Sequence, residues 1–141
     1  MATNAYDIMF KSDTFRVKQE VRGILNFIRK NLPSLSDEDA YDLRLIFSEL
    51  LFNAAIHGNN KDTTKTVRVR VEISDGVIFS TITDEGIGFD YMSLMSMFDE
   101  NQNIMNENGR GIQLAYSLAD SLAFNITGNK IKFYKKVAAN G

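Results

Sequence analysis

Glu49, Asn53 and His57 stand at i, i+4 and i+8. On an α-helix that spacing puts a carboxylate, an amide and an imidazole on one stripe. The stretch around them, Leu45 to Ile56, is apolar nearly all round and is interrupted by Ser48, Glu49 and Asn53. A carboxylate buried in such a helix needs a partner, a metal or an altered protonation state, so the stripe either meets a ligand or faces solvent. A second stretch, Asp84-Glu85-Gly86-Ile87-Gly88, follows the end of a predicted strand. The sheet could fix Asp84 there while two glycines let the backbone turn and approach a ligand closely. Aspartate and glycine are also the usual residues of ordinary turns. The third stretch, Gly109-Arg110-Gly111, immediately precedes a predicted helix, whose N-terminus offers free N–H groups and the positive end of its dipole to phosphate. Each stretch alone is weak, and the three together are far more specific.

The elements that must position these residues follow from periodicity and punctuation. A strand is expected over Tyr6 to Lys11. Ser12 can then cap a helix carrying Phe15, Val21, Ile24, Leu25, Ile28 and Leu32, ended by Pro33. Ser36 and Asp39 resemble a capping box for a second helix, running to about His57 and stopping at Gly58-Asn59-Asn60. Val67, Val69, Val71 and Ile73 alternate with Arg68, Arg70 and Glu72, and Asp75-Gly76 is a two-residue turn into Val77 to Asp84, which predicts a β-hairpin. Residues 85 to 108, with their glycines, the Met-rich stretch Met92 to Phe98 and the polar run Asp99 to Asn108, are expected to form a loop with helical pieces. A helix is expected beyond Gly109. Leu122 to Thr127 and Ile131 to Val137 form a closing hairpin across Gly128-Asn129, and Ala138 to Gly141 fray. The expected architecture is one domain over residues 1–141. It is an α+β two-layer sandwich, a mixed, mostly antiparallel sheet with helices on one face.

Composition removes several function classes. A net charge of -2 over 141 residues gives no electrostatic reason to bind nucleic acid or an anionic membrane. Without cysteine there is no disulfide framework, thiol nucleophile or cysteine metal site, and the lone His57 excludes multi-histidine metal sites. No apolar run approaches a membrane span, and the start Met1-Ala2-Thr3-Asn4-Ala5-Tyr6 lacks the basic and apolar regions of a signal peptide. The cytoplasm is the expected location.

Glu49-Leu50-Leu51-Phe52-Asn53-Ala54-Ala55-Ile56-His57-Gly58 resembles the N box of the GHKL ATPases, Asp84 to Gly88 their first glycine box, and Gly109 to Gly111 their second, in matching order and spacing. Within that superfamily the chain looks most like the anti-sigma factor serine/threonine kinases of bacterial partner-switching systems. The resemblance implies a Bergerat (histidine-kinase-like) ATPase fold, with ATP and Mg2+ as cofactors. Asn53 would help hold Mg2+ and Glu49 would be the general base. Asp84 would accept from the adenine amino group, where guanine would set acceptor against acceptor. Gly86 and Gly88 would admit the nucleotide, Ile87 would line the base pocket, and Gly109, Arg110 and Gly111 would meet the phosphates. His57 would belong to the nucleotide site or merely finish the helix. The implied partners are an anti-anti-sigma factor and a sigma factor, with a homodimer as the assembly.

Residues 89 to 108, the implied lid, contain no Lys or Arg, so Arg110 would supply the cation near the γ-phosphate. Where the family tends to have threonine before its last strand, this chain reads Gly128-Asn129-Lys130-Ile131. A catalytically silent, nucleotide-dependent interaction module and a stand-alone ATPase are the rival functions.

Overall fold

The computed structural model describes residues 4–86, 107–125, 127 and 129–137. Its sheet grows from alternation. In β2 (Thr66–Ser74) a period of two puts Val67, Val69, Val71 and Ile73 on one face, all buried, while Arg68 and Arg70 point the other way into solvent. β3 (Val77–Thr83) repeats the pattern with Ile78, Ser80 and Ile82. Asp75 and Gly76 join the two with φ of 51° and 73°, the paired left-handed residues of a tight hairpin turn. With β1 (Asn4–Lys11), β4 (Ser121–Phe124) and β5 (Lys130–Lys136), the strand order is β1-β2-β3-β5-β4. The sheet was expected to be mixed and mostly antiparallel, and every pairing among the described residues is antiparallel. The reason is that β3 pairs with the returning β5 rather than with β4.

Among the described residues, three α-helices cover the buried face: α1 (Thr14–Asn31), α2 (Asp37–Phe52) and α3 (Glu107–Leu118). Ser36 caps α2 as expected, its Oγ accepting from the Asp39 N–H at 3.0 Å. The cap of α1 is Asp13 instead of Ser12, with Oδ1 accepting from Phe15 N–H at 2.9 Å. Ser12 is buried and turned inward, donating to the Lys65 carbonyl at 3.1 Å, because a buried hydroxyl must find a partner.

α2 packs between α1 and α3 above the sheet, which explains why it is apolar nearly all round. Ile46, Phe47, Leu50 and Leu51 are fully buried, and Phe47 meets the β5 residue Phe133 edge-on at 5.1 Å. Lys135 also points inward from β5. It donates to the Leu118 carbonyl at 2.8 Å and lies 3.9 Å from the Asp42 carboxylate of α2. A cation thus satisfies an orphan carbonyl at the C-terminus of α3, where the dipole favours it. That anchors α3 at the end remote from its glycines.

Candidate functional site

The site forms where the end of α2, the end of β3 and the start of α3 come together. At Asn53 the winding of α2 widens into a π-helical segment, Asn53–Gly58, the kind of irregularity that concentrates at functional sites. Asn53 is buried at 8% exposure and Glu49, one turn earlier, is half-buried. His57 is exposed. The stripe expected from uniform α-helical spacing therefore holds for Glu49 and Asn53 and breaks before His57, because the wider turn changes the angular step between residues.

Asp84 leaves the end of β3 held from both sides. Its own N–H donates to the Asn129 carbonyl at 3.0 Å, and the N–H of Glu85 donates to the Asn59 side chain at 2.7 Å. Its carboxyl accepts from Gly86 N–H at 2.7 Å. Burial, only partly opposed by that hydrogen bond and by the Lys65 charge, pushes the carboxyl up to about 6. The Asn129 side chain is occupied by Asn125, which donates to it at 2.9 Å, so the backbone of that position, and not its side chain, reaches Asp84.

Close approach explains the glycines better than turning does. Gly86 has no left-handed φ. A Cβ on Gly86 would collide with the carbonyl oxygen of Gly58, and one on Gly58 would collide with the Asp84 carboxylate. The two backbones interlock, and Asp84 fills the space that Gly58 leaves. Gly58, read from sequence as a helix stop, is thus also a wall of the site.

Gly109, Arg110 and Gly111 lie within α3, which begins at Glu107, instead of ahead of it. Gly109 and Arg110 still fall among the first four N–H groups, which have no partner inside a helix. Gly111 is past them, and a Cβ there would strike Oε2 of Glu49. The Glu49 carboxylate therefore rests against the opening turns of an anion-attracting helix end. Ile87, Gly88, the Arg110 side chain and residues 89–106 of the lid expected over 89–108 lie outside the described residues.

The donor set suits a magnesium nucleotide. Such an ion keeps most of its ligands as water and phosphate and takes one or two protein oxygens, and the Asn53 amide can supply one. The residue that sequence reasoning missed is Asn59, fully buried and linked to Ser12, Thr66 and Glu85. Its place in Gly58-Asn59-Asn60 resembles a helix stop, and nothing in its neighbours signals partners so far away in the chain.

Residues 13–135 match the family described as histidine kinase-like ATPase domain. Over 51 residues the chain is 41% identical to the anti-sigma F factor of Geobacillus sp. (strain WCH70), covering 36% of this chain and 35% of that one. The match thus spans about a third of that relative's length. The chain is 32% identical over 111 residues to the serine-protein kinase RsbW of Staphylococcus epidermidis, covering 72% of this chain and 70% of that one. The mycobacterial sensor histidine kinase MprB shares the fold, with a TM-score of 0.54 at 17% identity over 98% of this chain and 99% of that one.

Proposed function

Because the chain belongs to the histidine kinase-like ATPase domain family, we propose that it is an ATP-dependent anti-sigma factor serine/threonine kinase. It phosphorylates an anti-anti-sigma partner and sequesters a sigma factor when that partner is unavailable. The anti-sigma F factor and serine-protein kinase relatives support this reading. The observation that carries it is the Glu49 carboxylate resting against the opening turns of α3, a carboxylate beside a helix end suited to phosphate.

Bound Mg-ATP supplies the phosphoryl group and the cation that offsets its charge. The chain does the positioning. Asp84 would accept from the adenine amino group, the free N–H groups of α3 would bind the phosphates, and the Asn53 amide oxygen would serve as a ligand to the metal. Glu49 would take the proton of the partner's hydroxyl as that oxygen bonds to the γ-phosphorus and the bond to the bridging oxygen breaks, releasing ADP. Arg110 would meet the phosphates, Gly88 would admit the nucleotide with Gly86, Ile87 would help line the base pocket, and a homodimer in the cytoplasm is the working assembly. Among the described residues no helix is long and apolar enough to cross a membrane.

The absence of Lys and Arg from residues 89–108 favours one second reading, an interaction module that binds nucleotide and partners without transferring phosphate. Labelled ATP, the partner and a partner with its acceptor serine changed to alanine decide between them. Serine-dependent labelling is expected. Binding of ATP and partner without labelling would establish the module.

Gly111→Ala separates folding from chemistry. Replacing a helical glycine with alanine favours the helix by up to about 1 kcal/mol, and the atom in the way is the mobile tip of Glu49. The melting temperature should hold or rise while phosphoryl transfer falls by roughly tenfold, since the base is pushed off line. An unchanged transfer rate would show that the Glu49 position seen here is not the working one.

A further inference from the structure

We propose that Asn59 is a specificity-positioning residue, which sets the ATP-over-GTP preference by holding the Asp84 turn in place. The proposal rests on the reading that Asp84 meets the adenine amino group. Asn59 is 0% exposed and its side chain uses both ends. Nδ2 donates to Ser12 Oγ at 2.7 Å and to the Thr66 carbonyl at 2.8 Å, while Oδ1 accepts from Glu85 N–H at 2.7 Å. Thr66 closes the loop, because its N–H and hydroxyl hold the Glu85 carboxylate and keep it below the usual carboxylate range. One amide thereby joins the end of the π-helical segment, the start of α1, the start of β2 and the turn after β3.

The backbone around Asn59 is held in a conformation it would not adopt freely. Asn60 and Lys61, which follow it, have φ of 54° and 58°. Left-handed non-glycine residues persist where surrounding contacts over-determine them. The network through Asn59 is such a set of contacts.

Rigidity is what discrimination against guanine demands. An acceptor facing an acceptor rejects the wrong base only if it cannot swing away. Asp84 is tied to Asn129 on the β5 side, and Asn59 ties the next residue on the β2 side. Cutting that second tie lets the carboxyl turn aside, so GTP gains relative to ATP.

The test is calorimetry with Mg-ATP and with Mg-GTP on wild type, Asn59→Ala and Ser12→Ala. A variant that merely unfolds in part lowers both affinities by the same competent fraction, so the ratio of the two is blind to stability. The ratio should fall roughly tenfold in Asn59→Ala and about threefold in Ser12→Ala, on the scale of one or two lost buried hydrogen bonds. Wild-type ratios in both variants would overturn the proposal and leave Asn59 a purely structural residue. Should Asn59→Ala not fold, Ser12→Ala alone decides by the same criterion. A wild-type protein that binds the two nucleotides equally would overturn the Asp84 reading, and this proposal with it, before any variant is measured.

Discussion

Glu49→Gln is expected to bind Mg-ATP within a few-fold of wild type and to transfer phosphate to the partner's serine about 10² to 10⁴ times more slowly. Glutamine keeps the size of the side chain and can occupy the space beside Gly111, but it cannot take a proton. Asn53→Ala should fail differently, although it lies one turn away. Removing a buried amide oxygen takes a ligand from the metal beside the phosphates, so Mg-ATP binding itself weakens. Calorimetry with Mg-ATP and single-turnover transfer, run on both variants, give opposite signatures. If Glu49→Gln transfers phosphate at the wild-type rate, the base is another group.

Asp84→Asn is expected to exchange one nucleotide preference for the other and to stabilise the nucleotide-free protein. The asparagine oxygen can keep the hydrogen bond from Gly86, while the second head atom changes from acceptor to donor. A donor suits the guanine carbonyl and opposes the adenine amino group, so the ATP-to-GTP affinity ratio should drop by about 10² or more. The stability gain follows from the wild-type cost. With the folded carboxyl raised from 3.8 to about 6, the folded state binds the proton more tightly than the unfolded state. Stability from this group is then complete below about pH 4 and is lost as pH rises through about 6. Allowing for partial access of water, the loss is on the order of 2 kcal/mol. Thermal melts should show the variant more stable than wild type at pH 7 to 8 and the difference closing near pH 4. A constant difference across that range would assign the effect to packing.

The parts legible in the sequence were those written within a few residues of themselves. Ser36 and Asp39 mark the start of α2, Asp75-Gly76 closes the β2–β3 hairpin, and the valines of β2 announce which face is buried. The three stretches holding Glu49, Asn53, Asp84 and the glycines could be picked out because acids and amides in apolar or glycine-rich surroundings need explaining. Tertiary structure decided the rest. The choice of Asp13 over Ser12 as cap depends on Ser12 having partners at Asn59 and Lys65. The use of Gly86 and Gly111 as clearance depends on Gly58 and Glu49 arriving from α2 and its π-helical extension. Asn59 joins residues 47 and 26 positions away. Periodicity and capping report what a residue does to its own helix or strand, whereas these contacts exist only after the sheet and helices have packed, so no local pattern could encode them.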